Sequence, residues 1–318
     1  MQAFLIRRML LVVPTLVGAT LVIFLIMRVV PGDIAVILLQ AGTEQKVDSV
    51  ALASLRHDLG LDRPLTVQYL SWLAKTSQGD LGDSMRTGRP IREEVIRRFP
   101  LTAQLAIMAV VVGFAAGLPL GIISALKQNT WADYLSRVTS ICFLAFPAFW
   151  LGLIVLMVGV RLFDWTPPLG YNVPWEKPIT NLQQLIFPAL ILGSHLLAIV
   201  ARMTRSSMLE VMREDYIRTA RAKGLSEARV IVRHAMKNSM IPVVTIVSLQ
   251  AAALLGGAVV METVFSIPGI GAYLIEAIKF RDYTVAQALV LVFVVNFIII
   301  DTLVDISYGW FDPRISHV

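Results

Sequence analysis

Apolar runs long enough to cross a bilayer, which takes about 20 helical residues, alternate along this chain with polar stretches of very unequal length. The first run, residues 9–27, is uncharged and ends at Pro31-Gly32-Asp33. Others occupy residues 101–126, 138 to about 160, 185–201 (somewhat short) and 239–261, and a sixth begins at 283–300. The pattern predicts an all-α polytopic membrane protein with about six transmembrane helices. Pro147 marks a kink site in the third span. Gly113, Gly117 and Gly121 lie four apart on one face of the second. Such a small-residue seam lets another helix approach closely.

The polar stretches carry the organisation. Residues 28–100 mix turn signals (Leu59-Gly60-Leu61-Asp62-Arg63-Pro64, Gly79-Asp80-Leu81-Gly82) with short amphipathic pieces at 50–59 and 67–73. They form either a small cap or a layer along the membrane surface. Residues 91–99, with Arg92, Arg97 and Arg98 among apolar neighbours, predict an interfacial helix leading into the bilayer. Trp165 and Trp175 in the Pro-rich connection 161–183 suit a membrane interface. Residues 262–282 form another polar connection. In residues 210–242, Gly224 and Ser226 read as the C-cap of one helix and the N-cap of the next. A helical hairpin projecting from a membrane gives a soluble partner something to grip.

Composition agrees: 56% of the 318 residues are hydrophobic and 16% charged, with a mean hydropathy of +0.71. That is an integral membrane protein. A net charge of +6 would suggest nucleic acid in a soluble chain, but its distribution explains it here, and no nucleic-acid partner is expected. Between 202 and 237 stand nine basic residues against four acidic ones. If both ends are cytoplasmic, the cytoplasmic segments hold 14 basic residues and the two short outer connections 4. The other 10 lie in the long loop, where nine acidic residues nearly balance them and where loops beyond about 60 residues escape the charge rule. The prediction is N-in and C-in, with the hairpin in the cytoplasm. Arg7 and Arg8 before the first run read as the start of an uncleaved span.

Candidate chemistry is sparse. No phosphate-binding Gly-x-x-x-x-Gly-Lys-Ser/Thr sequence occurs, so this chain is not expected to hydrolyse ATP. His57, His195, His234 and His317 lack metal-site spacing. Cys142 is the single cysteine, which excludes an internal disulfide. His195, at membrane depth, reads as a hydrogen bond to a neighbouring helix or as pore-lining. The first five runs contain no charge, whereas ion-driven carriers need intramembrane charge. Asp301 and Asp305 share a face of the sixth helix near its cytoplasmic end, where they anchor that end or meet the basic hairpin. An ion-coupled secondary carrier would depend on that pair alone. An intramembrane enzyme lacks any nucleophile–base or metal set.

Arg218-Thr219-Ala220-Arg221-Ala222-Lys223-Gly224 resembles the coupling motif of ABC-importer permeases in its dipeptide/oligopeptide form. It keeps Ala220 and Gly224, but has Arg218 and Thr219 at the opening of the general motif and Lys237 at its proline position. The alternative is an ordinary basic loop obeying the positive-inside rule. The same branch is resembled by Arg7-Arg8 with Pro31-Gly32-Asp33, Gly79-Asp80-Leu81-Gly82-x-Ser84 and Phe146-Pro147-x-Phe149-Trp150. So it is by Ala201-Arg202-Met203-Thr204-Arg205, by Glu262-Thr263-Val264-Phe265-Ser266-x-Pro268-Gly269-x-Gly271 with Arg281-Asp282-Tyr283, and by the closing Asp312-Pro313-Arg314.

The resemblance implies a type I ABC-importer permease architecture. It implies a second homologous permease, an external solute-binding protein, and two cytoplasmic ATPases that bind the ATP and Mg, with no cofactor in this chain. It implies a coupling helix at 216–224, with Tyr216, Arg218, Thr219, Ala220, Arg221, Ala222, Lys223 and Gly224 as coupling residues and the three cations available to acidic groups on an ATPase. The expected setting is a bacterial or archaeal cytoplasmic membrane, and the expected cargo is dipeptides or oligopeptides. Relatives of the branch also import nickel, glutathione or oligosaccharides. The expected division is an N-terminal helix at 1–30, an external region at 31–100, the permease core at 101–306 with its coupling loop at 202–238, and a tail at 307–318.

Overall fold

The structure, a computed structural model, describes residues 2–29, 35–36, 39, 49–58 and 60–311. Leu59, Pro31-Gly32-Asp33 and Asp312-Pro313-Arg314 lie outside the described residues, as do the side chains of Arg7, Arg8 and Asp305. The described residues are helical, with a single isolated bridge between Asp83 and Pro90 and no sheet. In chain order the helices are α1 (Gln2–Val29), α2 (Ser49–Asp58), α3 (Leu65–Ser77), α4 (Ile91–Leu126), α5 (Trp131–Ala145) and α6 (Ala148–Phe163). Then come α7 (Pro178–Val211), α8 (Asp215–Ala222), α9 (Glu227–Arg229), α10 (Met236–Val264), α11 (Ile270–Lys279) and α12 (Tyr283–Phe311). A π turn, Val230–Ala235, joins α9 to α10.

Every apolar run is helical, but several helices outrun it. The interfacial piece at 91–99 and the second span are one 36-residue helix, with Pro100 and Pro119 inside it. The fourth span is not short: α7 runs 34 residues, passing through Pro188 and Gly193, because no glycine or proline follows before Val211 and Arg205 near its end finds a partner described below. The third span departs most from expectation. Pro147 removes an amide donor and pushes Phe146 into an extended conformation (ψ 130°). Instead of one kinked helix, α5 and α6 meet at 95°.

The chain forms two compact units. The larger comprises residues 1–5, 100–272 and 299–318. At its centre is α7, whose buried Leu185, Ala189, Leu192, Leu196 and Val200 recur every three or four residues. Leu101, Leu105 and Ala109 of α4 and Val243, Leu254, Ala258 and Met261 of α10 complete the same core. Lipid tails are as apolar as leucine, so helices in a membrane associate through close packing. The glycine seam supplies it. A Cβ on Gly113 would fall 2.7 Å from Leu196, and one on Gly117 2.7 Å from the Leu197 carbonyl oxygen. One on Gly121 would fall 2.6 Å from the Ala201 carbonyl oxygen.

The smaller unit comprises residues 6–99 and 273–298. Here α3 packs on α1 through Phe24, Tyr69 and Trp72, with ring centroids 5.5–6.3 Å apart. The Thr20 and Tyr69 hydroxyls are 2.9 Å apart.

Candidate functional site

The basic hairpin is built from a buried anchor upward. Of the eight predicted coupling residues, the structure buries only Ala220. Together with Ile217 it seats α8 against Ala125, Met208, Val230 and Ala235. The opposite face carries Tyr216, Arg218, Thr219, Arg221 and Ala222, followed by Lys223 and Gly224, all exposed. Gly224 has φ +77°. Its amide donates to the Arg221 carbonyl (2.9 Å) and that of Leu225 to the Ala220 carbonyl (3.4 Å). This pair of bonds is the Schellman arrangement, which requires the left-handed residue that glycine supplies. No atom lies within 4 Å of a Cβ built on Gly224, so the constraint is in the backbone alone. Ser226 occupies the N-cap position of α9, but its hydroxyl makes no capping bond; the amides of Arg229 and Val230 bond its carbonyl instead.

The cations are less available than the sequence suggests. Arg218 pairs with Asp215. Arg221 donates to both Glu227 oxygens (2.7 and 3.3 Å). Among the described residues Lys223 joins no ion pair. Both arginine pairs are exposed, and such pairs are worth about 0–1 kcal/mol, so a partner's carboxylate can displace either at little cost. Tyr216 accepts a hydrogen bond from the Asn238 amide (2.7 Å), tying the outer face of α8 back to α10.

Where α7 runs toward the hairpin stands a feature the sequence reading missed. Asp133 is 0% exposed. Arg205 donates to both its oxygens (2.8 and 2.9 Å), the Ser124 hydroxyl donates at 2.6 Å and the Asn129 amide at 3.0 Å. One carboxylate thus binds the end of α4, the start of α5 and the last turns of α7. Its signal in the sequence was a lone acidic residue in a short polar loop, which reads equally well as solvated.

Two more buried carboxylates organise the segment read as a polar connection. Glu262, 0% exposed and still inside α10, accepts from the Thr102 hydroxyl (2.5 Å) and the Ala272 amide (2.9 Å). The Thr102 oxygen accepts in turn from the Ile270 amide (3.0 Å). A Cβ on Gly269 would overlap the Glu262 carboxylate, and one on Gly271 would meet Val259, so this turn admits only glycine at both places. In the smaller unit, Asp282 receives the Ser84 hydroxyl (2.6 Å) and the amides of Met85, Arg86 and Val285 (3.3 Å each). It caps α12 and holds the 84–86 turn together. Nearby, Arg98 lies over the Tyr273 ring (4.5 Å), and burial, with the Asp282 charge second, pushes the Tyr273 phenol up to about 12.

The residues flagged at membrane depth divide. His195 is exposed on an otherwise buried stretch of α7 and makes no hydrogen bond to a neighbouring helix among the described residues. That departs from the first reading of it. Asp301 is half-buried on α12.

Residues 117–317 match the family described as "binding-protein-dependent transport system inner membrane component", and residues 1–106 match its N-terminal companion. The chain belongs to this family. This membrane component is similar over its whole length to curated relatives. It is 41% identical to the dipeptide transport system permease protein DppB of Alkalihalophilus pseudofirmus, covering 100% of both chains. It is 39% identical to the DppB of Escherichia coli K12 (100% of this chain, 99% of the relative). It is also 39% identical to the glutathione transport system permease protein GsiC of Salmonella typhimurium, covering 100% of both. Among solved structures, an inward-facing MetNI methionine ABC transporter superposes with a TM-score of 0.56 at 16% identity, over 69% of this chain and 96% of that one. A histidine-bound amino acid ABC transporter gives 0.53 at 14%, over 68% and 94%. The fold is that of an ABC-importer permease.

Proposed function

We propose that this chain is one of two homologous permeases forming the translocation path of an ATP-driven importer, and that α8 is its coupling helix. The observation that carries the reading is the division of α8. Ile217 and Ala220 fasten one face to the permease core while Arg218, Thr219, Arg221, Ala222 and Lys223 stand clear of it, as a part that must be gripped from outside requires. Two cytoplasmic ATPases bind the ATP and Mg. Their closure pulls on α8, the spans follow, and access changes sides. Such a cycle runs only if ATP binds the two states with different free energy. The excess of basic residues in the segments at 127–137 and 202–237 supports N-in, C-in insertion in a bacterial or archaeal cytoplasmic membrane. The outer loops, at 28–100 and 262–282, then meet the solute-binding protein. The division at about 30, 100 and 306 follows the same reading.

The cargo is a dipeptide or short oligopeptide, supported by full-length likeness to dipeptide permeases. Glutathione, itself a small peptide, is the second reading, supported by equal coverage of glutathione permeases.

The test targets the backbone of Gly224. A non-glycine residue at its φ of +77° costs about 1–2 kcal/mol, most for a β-branched side chain. In proteoliposomes holding both permeases, the ATPases and the binding protein, Gly224→Val is expected to insert normally and permit ATP hydrolysis while dipeptide uptake falls. Gly224→Asn, which tolerates that conformation, is expected to retain most uptake. Normal uptake by Gly224→Val would remove the hinge from the mechanism.

A further inference from the structure

The smaller unit contains a cavity of about 400 Å3, within the roughly 300–1,000 Å3 of small-molecule sites. No residue of the coupling hairpin lines it. Three cations line it, Arg28, Arg63 and Lys75, against one carboxylate, Asp80. Phe24 and Trp72 supply apolar wall.

Two observations mark it as a built site rather than a crevice. The first is Arg28, held in place rather than hanging in solvent. Its Nε and Nη2 both donate to Gln68 Oε1 (3.2 and 2.7 Å), and Gln68 in turn donates to the Leu61 and Arg63 carbonyls (3.2 and 2.8 Å). The guanidinium also lies over the Phe24 ring at 4.9 Å. The second is Gln287 on the cavity wall. It is 8% exposed, and its buried Nε2 has no hydrogen-bond partner. Leaving such a donor unmet is costly, and native interiors rarely do so without a partner that binds there. Arg63 and Lys75 are exposed and in no ion pair among the described residues. What satisfies all of these at once is an acceptor bearing negative charge, attached to an apolar group.

We propose that this cavity is a binding site for a small carboxylate ligand with an apolar substituent, the carboxylate accepting from Gln287 Nε2 and paired by Arg63 and Lys75, the apolar part on Phe24 and Trp72. The site does not depend on the peptide reading; short peptides are one class of such ligand.

The full-length chain in phosphatidylcholine nanodiscs would be titrated calorimetrically with N-acetylleucine, leucyl-leucine and leucinamide. Saturable binding of N-acetylleucine is expected, weakened as salt rises, with none for leucinamide, which lacks the carboxylate. Arg63→Gln with Lys75→Gln should weaken binding at least tenfold, and Gln287→Leu, similar in size without the donor, should do likewise. The two cations are exposed, so their substitution keeps the test decisive if the Gln287 variant fails to fold. Binding of N-acetylleucine but not of leucyl-leucine would uphold the site and exclude peptides from it. Equal binding of leucinamide, no binding of either acid, or unchanged affinity in the cation variant would overturn the proposal. So would loss of N-acetylleucine binding in phosphatidylglycerol nanodiscs, which would assign the cavity to a lipid phosphate.

Discussion

Replacing Asp133 tests whether the last turns of α7 are fixed by charge. Asp133→Asn keeps the shape but removes the charge opposite Arg205, a side chain only 21% exposed, and sets an amide N–H against a guanidinium N–H. Breaking a buried pair from one side costs about 3–5 kcal/mol. At roughly 2–4 °C per kcal/mol for a domain of this size, thermal unfolding in a fixed detergent should drop by about 6–20 °C. Arg205→Met should cost somewhat less, since it leaves the buried Asp133 with the Ser124 and Asn129 donors and with Arg137 at 3.6 Å. Removing both charges, with Asp133→Leu and Arg205→Met, should cost less than the two singles together by about 3 kcal/mol, the upper range for coupled neighbours. The Ser124 hydroxyl and Asn129 amide then lose their acceptor, so recovery stays incomplete. High salt should leave the effect intact, because buried pairs are poorly screened. Single variants within about 0.5 kcal/mol of the parent, as surface substitutions are, or strictly additive singles, would refute the claim that this pair is structural.

Two further outcomes can be checked by the same unfolding measurement. Thr102→Val deletes the hydroxyl that donates to Glu262 and accepts from Ile270; it should destabilise by about 1–3 kcal/mol, while Thr102→Ser should nearly restore the parent. The Tyr273 phenol, raised from 10.0 to about 12, holds its proton longer in the folded state, so its contribution is complete below pH 10 and is lost as pH rises from 10 to about 12. Tyr273→Phe should remove that part of the alkaline loss, and an unchanged profile would deny Tyr273 the role.

The spans were legible because an uncharged apolar run has no other stable place, and the turn of the hairpin because Gly224 answers a local backbone demand. Helix lengths were not, because they depend on distant partners. α7 extends past Arg202 to Val211 with Arg205 neutralised by a residue 72 positions away. The three buried carboxylates share that cause. Asp133, Glu262 and Asp282 each stand in a stretch whose local composition is polar, and their donors Arg205, Thr102 and Ser84 lie 72, 160 and 198 residues off. The nearest sequence hint was the Gly269 and Gly271 pair beside Glu262, spacing that suits a backbone crowding a side chain. The available charge of Arg218 and Arg221 was overestimated for the opposite reason, since Asp215 and Glu227 were close enough to be counted as mere balance.

The bond from Ser84 to Asp282 also sets a schedule for the ribosome. The smaller unit is made of residues 6–99 and 273–298, so its first part waits while the intervening segment is synthesised. At about 5–20 residues per second, that wait lasts on the order of 10–40 s. For that time the Ser84 turn lacks the carboxylate that holds it. Whatever shelters the nascent chain must therefore protect an unfinished unit, and a truncation before residue 282 would strand it permanently.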